Sequence, residues 1–400
     1  MPRAAPVDDR NVGQRLVTIA AIVAMAAVTA AAAPGAAGRL PNWAAPQIAT
    51  VVTHRLMDAK SVSKFRPNAA LTRQTLANLG VGLKQQLAPE TNPSAGSDSG
   101  STGTTTTGTT ASATTTTSTT TTTTTTTTPP PDVSNPSGQV TMAQLDRSLV
   151  QALGLGNAAK EFAQGARAAG IAAPGRFGFE VAARLLGLRI NHPAAQDFLE
   201  LRPQDPATRA EAAYSAAQIL GFGVLQDSWQ IAQVQSLADS FVLPTLNDWQ
   251  RRILAVTFSK IGMPYVWGGA SDETEVDFGV TARGGYDCSG FVWRVYKLQS
   301  YPNEGNLAST ILGRTTYTMS VEVPRSKRIS FAKLQPADVL FFGTHGTRSS
   351  GPQIFHTAIY VGNGWFIQSS DYGVALAQLS GWYKKKFAWG RRPLHEAGLE

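Results

Sequence analysis

The chain has 400 residues, more than one ordinary domain needs, and 42% of them are hydrophobic, which is enough to build buried cores. Its formal net charge of +8 favours an anionic partner such as a polymer or a membrane surface, while the absence of any nucleic-acid-binding motif argues against a nucleic-acid partner. One cysteine excludes an intramolecular disulfide and a multi-cysteine zinc site, and the five histidines are scattered, so we expect no metal and no cofactor.

The N-terminus has the order of a secretory signal. Three arginines precede an apolar run over residues 16–33, and small residues follow that run. We predict a signal peptide over residues 1–37 and a secreted protein with no integral membrane segment after cleavage. The alternative is an uncleaved anchor, although the Ala-rich run is short for a membrane-spanning helix.

A Thr-rich tract runs over residues 101–128 and is followed by three prolines. This composition supplies almost no side chains for a core, so we predict a disordered linker over residues 91–133. In an exported protein the tract fits an O-glycosylated spacer and a plain flexible linker about equally well.

An internal repeat lies on both sides of this tract. In three windows a proline is followed five positions later by a threonine, in the pairs Pro67/Thr72, Pro136/Thr141 and Pro203/Thr208. A helical pattern with an apolar face follows each threonine, so we predict that each threonine caps a helix N-terminus. The nearly equal spacing favours a true repeat over the convergent use of one type of helix cap.

The repeats resemble S-layer homology repeats. Residues 208–211, Thr-Arg-Ala-Glu, match the box of that family letter for letter, and residues 72–74 match it in part. The second copy departs from the pattern because Met142 stands in place of the arginine. The resemblance implies a helical, pseudo-threefold module, with repeat 1 over residues 38–90 and repeats 2 and 3 over residues 134–225.

The same resemblance implies that the module grips an anionic wall polymer, partly through Arg73 and Arg209. The alternative is a purely structural helical prodomain that covers the catalytic face and could inhibit the enzyme. A connector over residues 226–248 is expected to separate the module from the rest of the chain.

The lone cysteine, Cys288, opens a predicted helix. Apolar residues follow it at helical spacing, at Phe291, Val292, Val295 and Leu298. Asp287 precedes it as a natural N-cap. The helix dipole and the free N–H groups there favour a thiolate and a lowered thiol pKa, and the same N–H groups can hold an oxyanion. The alternative is a small buried core thiol, but a free thiol in an exported protein is a liability unless it is used.

A thiol nucleophile needs a nearby base. His345 lies in a loop pattern, whereas His356 opens a predicted hairpin around Gly362-Asn363-Gly364. We therefore predict His356 as the base and Gln368, on the return strand, as its orienting partner. Strand parity then requires a three-residue loop with Gly364 left-handed, because a two-residue turn would place Gln368 on the opposite face unless a bulge reset the register.

Several motifs after the connector resemble the NlpC-type cell-wall cysteine peptidases, a papain-like family. The matching stretches are Gly262–Gly269, Asp287-Cys288-Ser289-Gly290, Leu334–Phe342 and His356–Gly362. The resemblance implies an α+β peptidase domain over residues 249–400, in which the cysteine helix packs on an antiparallel sheet. The segment over residues 270–285 is longer than usual and acidic; we expect it to rim the cleft, with a solvated insertion as the alternative.

On this resemblance, Cys288 is the nucleophile, His356 the base and Gln368 the third polar residue. Tyr265 and Ser289 are expected to stabilise the oxyanion or bind substrate.

The function implied is a wall-associated peptidoglycan hydrolase. It would cleave the stem-peptide bond from D-iso-glutamate to diaminopimelate or lysine through a thioester, with the repeats targeting it to the wall. The alternatives are a non-catalytic wall-binding or structural protein and a thioester acyltransferase.

Overall fold

The computed structural model describes residues 43–89 and 133–400. The predicted signal peptide and nearly all of the predicted Thr-rich linker lie outside these ranges. Within them, no helix is long and apolar enough to cross a membrane.

Helices make up the described chain before the first strand. They are α1 (Ala45–Thr53), α2 (Arg73–Gln86), α3 (Met142–Ala152), α4 (Gly156–Ala168), α5 (Phe177–Leu185), α6 (Arg209–Leu220), α7 (Trp229–Asp239) and α8 (Asp248–Ser259). A 3₁₀ segment, Ala194–Leu199, connects α5 to α6. We call the described residues before α7 the helical module.

The repeat threonines cap α2, α3 and α6, which confirms that prediction. The hydroxyls of Thr72, Thr141 and Thr208 each accept a hydrogen bond from the backbone N–H three residues further on. Each cap satisfies a donor that the helix N-terminus would otherwise leave without a partner.

Backbone hydrogen bonds join the three cap loops in a closed ring. Leu71 N–H donates to Ala207 O at 2.8 Å, Ala207 N–H donates to Val140 O at 2.9 Å, and Val140 N–H donates to Leu71 O at 3.1 Å. The backbone N–H groups one position after each cap donate to the other neighbouring cap loop, so these bonds run around the ring in the opposite direction. They belong to Arg73, Met142 and Arg209. Equivalent positions of the three cap loops therefore bond cyclically, so these loops have a pseudo-threefold arrangement.

The C-terminal part is α+β, as predicted. Its strands are β1 (Ala270–Ser271), β2 (Glu275–Asp277), β3 (Val280–Ala282), β4 (Gly285–Tyr286), β5 (Val339–Gly343), β6 (Ile354–Gly362), β7 (Trp365–Ser370), β8 (Gly373–Gln378) and β9 (Phe387–Arg391). The last five form one sheet in the order β8-β7-β6-β5-β9, with antiparallel neighbours throughout.

Five further helical elements surround this sheet. They are α9 (Cys288–Trp293), which continues as a π-helical turn over Arg294–Leu298, and α10 (Leu307–Thr310), α11 (Thr316–Val321), α12 (Gly381–Lys386) and α13 (Pro393–Glu396). The buried side chains of Phe291 and Val292 on α9 share one core with Ile359 and Ile367 of the sheet. The cysteine helix thus packs on an antiparallel sheet, as expected.

The β6–β7 hairpin differs from the prediction in its loop. Its strand partners are Ile359–Ile367, Tyr360–Phe366 and Gly362–Trp365. The turn is therefore the two-residue Asn363-Gly364, with φ values of 49° and 79°, so Gly364 is left-handed as predicted but the three-residue loop is wrong. An irregularity between Tyr360 and Gly362 resets the register, which leaves Gln368 on the face of His356.

The long acidic segment over residues 270–285 has regular secondary structure, although many of its side chains are exposed to solvent. It forms two small antiparallel ladders, β1 with β4 and β2 with β3. Strand β3 packs against the 3₁₀ segment of the helical module. The Asp272 carboxylate accepts a 2.6 Å hydrogen bond from the Tyr286 hydroxyl and pairs with Lys260, which ties the segment to its own domain.

Candidate active site

Cys288 is the first residue of α9, with Asp287 as the N-cap that the sequence predicts. The half-buried sulfur lies 3.3 Å from Thr316 Oγ1 on α11. The sulfur also accepts hydrogen bonds from the backbone N–H groups of Ser289 and of Thr357 on β6. Three elements that are distant in sequence therefore meet at the thiol.

The thiol does not have the lowered pKa that its position at a helix N-terminus predicts. Burial, followed by the adjacent Asp287 carboxylate, raises the pKa of Cys288 to about 11. The hydrogen bonds from Thr316 and from the two backbone N–H groups offset only part of this rise. The prediction counted the helix dipole and omitted both burial and the N-cap charge. At neutral pH the resting thiol is protonated, so a base must take its proton before it attacks.

His356 and Gln368 meet across β6 and β7. His356 Nε2 lies 2.7 Å from Gln368 Oε1, the contact that the register argument requires. Because an amide oxygen only accepts, Nε2 carries the hydrogen and Nδ1 keeps a free lone pair. Burial lowers the pKa of His356 to about 4, and the bond to Gln368 opposes this shift only in part. The imidazole is therefore neutral at neutral pH, in the form that accepts a proton.

Tyr383 on α12 extends this chain of hydrogen bonds. Gln368 Nε2 lies 2.6 Å from the Tyr383 hydroxyl, so the amide is held at both ends. The Tyr383 ring packs edge-on against Phe366 and Phe342 beneath α12. No sequence motif indicates this contact, because it forms only when α12 folds over the sheet.

Arg314 is a second residue that the sequence reasoning missed. Its guanidinium lies 3.2 Å from Asp287 Oδ1 and 2.9 Å from Ser289 Oγ, and it also donates to the carbonyls of Gly268 and Gly269. Arg314 thus ties the N-cap of the cysteine helix to the preceding loop. It lies two residues before Thr316, so one short segment supplies both contacts to the start of α9.

The two predicted oxyanion or substrate residues differ in their surroundings. The Ser289 hydroxyl is buried and donates to Asp287 Oδ1 at 2.9 Å, so its side chain supports the N-cap and only its backbone N–H reaches the sulfur. Tyr265 is half-buried near Cys288; burial and then the charge of the nearby thiolate raise the pKa of its phenol well above the usual value. The phenol therefore stays protonated and can donate a hydrogen bond.

The two arginines predicted to bind a wall polymer are also unlike each other. Arg209 donates to Phe65 O at 2.8 Å, pairs with Asp58 Oδ1 at 2.5 Å and lies over the Phe65 ring at 4.7 Å. Arg73 has an exposed side chain on α2. The donors of Arg209 are thus largely used within the helical module.

In residues 43–89 and 133–400, no group of three or more His, Cys, Asp or Glu side chains could hold a metal ion.

Comparisons with known proteins place this site in a family. Residues 262–392 match the NlpC/P60 family model. Murein DD-endopeptidase MepH of Escherichia coli (strain K12) is 33% identical over 135 residues, which are 33% of this chain and 41% of MepH. The bifunctional muramidase/DL-endopeptidase CwlT of Bacillus subtilis (strain 168) is 32% identical over 137 residues, 34% of each protein. A crystal structure of an NlpC/P60 family protein from Bacillus cereus is 23% identical, covers 38% of this chain and 42% of that one, and has a TM-score of 0.28.

The matched segment spans less than half of MepH and of CwlT. It includes Cys288, His356 and Gln368, and it begins after the helical repeats. Residues 262–392 of this chain therefore form an NlpC/P60 domain.

Proposed function

We propose that this protein is a secreted, wall-associated cysteine endopeptidase that cuts amide bonds in the stem peptides of peptidoglycan. The observation that carries the proposal is the pairing of His356 with Gln368 within an NlpC/P60 domain. His356 lies on β6, the strand whose Thr357 N–H reaches the Cys288 sulfur. A thiol with a neutral, oriented imidazole nearby is the arrangement that nucleophilic amide cleavage needs.

In the first half of the reaction, His356 Nδ1 takes the thiol proton and the sulfur attacks the carbonyl carbon of the substrate. The carbonyl π electrons move to the oxygen, where the Cys288 backbone N–H and the Tyr265 hydroxyl stabilise the negative charge. The bond to Gln368 keeps the hydrogen on Nε2, so the accepting nitrogen is available at every turnover.

In the second half, the tetrahedral intermediate collapses and the carbon–nitrogen bond breaks. The departing amine takes the proton from His356, and the acyl group remains on Cys288 as a thioester. Water then attacks the thioester, gives a proton to His356 and releases the acid, and the thiol is restored.

We infer that the bond cleaved joins D-iso-glutamate to diaminopimelate or lysine, as the family resemblance implies. The two relatives differ on this point, since CwlT is named a DL-endopeptidase and MepH a DD-endopeptidase. Cleavage of the DD cross-link is therefore the second candidate.

We further propose that the S-layer-homology-like module binds an anionic wall polymer. The exposed Arg73 and the ring of three cap loops support this role. Binding through an exposed guanidinium would weaken with added salt, because screening reduces the attraction between exposed charges.

Digestion of defined muropeptides, followed by mass spectrometry, tests the proposal. Cleavage at the iso-glutamyl bond shortens the stem of an uncross-linked disaccharide-tetrapeptide, whereas DD cleavage leaves it intact and converts a cross-linked dimer to monomers. An added amine would be incorporated into the product if the enzyme were an acyltransferase.

Cys288→Ala should reduce the rate of fragment release by at least about 10³-fold, because the covalent step is lost. Its circular dichroism and melting temperature should match those of the wild type, which shows that the fold is kept. Full residual activity in this variant would falsify the assignment of the nucleophile.

A further inference from the structure

The loop that carries Tyr265 is held from outside its own domain. Asp197, on the 3₁₀ segment of the helical module, accepts a hydrogen bond from the Trp267 backbone N–H at 2.9 Å. Asn191, oriented to donate, places its amide nitrogen 3.2 Å from the Tyr265 carbonyl oxygen. Module side chains therefore bind the backbone at Tyr265 and two residues after it.

The Asp197 carboxylate is almost fully buried, with 3% of its surface exposed, and its second oxygen has no hydrogen-bond partner among the described residues. Burial raises the pKa of Asp197 to about 6, while the Trp267 N–H works against the rise. A buried carboxylate is costly to keep. Among the described residues, the Asp197 carboxylate accepts one hydrogen bond, from the active-site loop, so holding that loop is its structural role.

Arg184 on α5 holds the other end of the same loop. Its guanidinium is buried and donates to the carbonyl of Gly262, three residues before Tyr265, and to the carbonyl of Tyr372. Tyr372 lies in the β7–β8 turn, and β7 carries Gln368. One side chain of the module therefore links the Tyr265 loop to the strand of the third polar residue.

The joint between the module and the domain is tightly packed as well as hydrogen-bonded. A Cβ at Gly262 would lie 2.6 Å from Glu180 Oε2 of the module. Phe162 of α4 packs edge-on against Trp365 of β7 at 6.5 Å between ring centroids, and Phe241, in the connector after α7, packs edge-on against the same ring at 5.2 Å. The module is therefore docked on the domain rather than merely tethered to it.

We propose that Asp197, Asn191 and Arg184 are positioning residues for the active site. They act through the backbone of residues 262–267, which holds the Tyr265 phenol beside the thiol. Activity then requires the docked module, a role beyond wall targeting and opposite in sign to an inhibitory prodomain. The measurement of kcat rests on the proposed function, whereas alkylation of Cys288 does not.

The test compares Asp197→Ala with Asp197→Asn in the full chain. Asparagine keeps an oxygen that can accept from Trp267, whereas alanine leaves that buried N–H without a partner. We expect the alanine variant to lose about tenfold in kcat with a smaller change in KM, because small displacements near the reacting groups are costly. The asparagine variant should stay within about threefold of the wild type.

Asp58→Asn is the matched control, because it removes a module carboxylate whose ion pair, with Arg209, lies inside the module. It should leave kcat unchanged. Asn191→Ala, whose site is only half-buried, is a second variant in case Asp197→Ala does not fold; a loss of about threefold is expected.

Alkylation of the single cysteine by iodoacetamide gives a readout that needs no substrate. In Asp197→Ala the Tyr265 loop should loosen and expose the thiol. Because burial raises the thiol pKa, alkylation of Cys288 should then be at least about threefold faster. If the wild type cleaves no muropeptide, the proposed function fails while alkylation still tests the positioning. If folded Asp197→Ala has the kcat and the alkylation rate of the wild type, or a higher kcat, the inference is overturned. A higher kcat would indicate that the module inhibits the enzyme.

Discussion

The helical module and the NlpC/P60 domain use their signature residues in opposite ways. In the module, Thr208 and its two counterparts cap helices, and Arg209 is locked against Asp58 and Phe65. In the domain, His356 bonds to Gln368 and keeps one nitrogen free. A motif that matches letter for letter therefore predicts local backbone geometry in both regions, but only tertiary contacts decide whether its side chains remain available for a ligand.

The module and the cleft also differ in the charges that they bury. The module buries Arg189 against Asp146 at 3.2 Å and Arg184 against Glu180 at 3.7 Å, and burial raises the pKa of Asp146 to about 7. The cleft instead buries a thiol and an imidazole that are both neutral. Of these module side chains, Arg184 donates to carbonyls of the domain, whereas the neutral thiol and imidazole of the cleft can exchange a proton.

Among the variants that test this comparison, the largest effect is expected in the hydrogen-bond chain of the cleft. Gln368→Ala should lower kcat/KM on a muropeptide by about 10²-fold, because nothing then keeps the hydrogen on Nε2. Gln368→Glu is the matched variant, since it retains an acceptor. Its carboxylate should also raise the pKa of His356 and move the acidic limb of the pH–rate profile upward. An alanine variant as active as the wild type would remove Gln368 from the mechanism.

The next effect tests the neutrality of the cleft. The thiol pKa is raised to about 11, so the thiolate fraction grows with pH throughout the neutral range. Iodoacetamide should therefore alkylate wild-type Cys288 about tenfold faster for each pH unit between 7 and 9. His356→Ala is the control and should keep this slope. A rate that is already constant above pH 6 would instead indicate a preformed thiolate–imidazolium pair.

The smallest effect tests the locked arginine of the module. Arg209→Ala should lower the free energy of unfolding by about 1–2 kcal/mol, since it loses a carbonyl bond and a ring contact while its ion pair with the exposed Asp58 adds little. Arg73→Ala should cost less than about 0.5 kcal/mol. Thermal melts measure both.

Binding to purified walls should rank the two arginines in the reverse order. Arg73→Ala should weaken cosedimentation with walls more than Arg209→Ala does at a temperature where both variants are folded. If both variants lost the same stability in thermal melts and the same binding to walls, the contacts of Arg209 would not distinguish it from Arg73.

Local chemistry was enough to predict several features of the fold and the site. Asp287 as N-cap, the capping threonines and the contact between His356 and Gln368 all follow from patterns spanning a few residues or one hairpin. The length of the Asn363-Gly364 turn could not be predicted, because the sequence does not reveal the irregularity that resets the strand register.

The sequence by itself determined the helix that presents Cys288, the hairpin that presents His356 and the threonine caps of the module, because each depends on spacing along one segment. Only the tertiary structure decided the direction of the Cys288 pKa shift, the roles of Arg314 and Tyr383, and the hold of the module on the Tyr265 loop. These features arise from burial and from contacts between distant segments, and their energies exist only once the chain has packed.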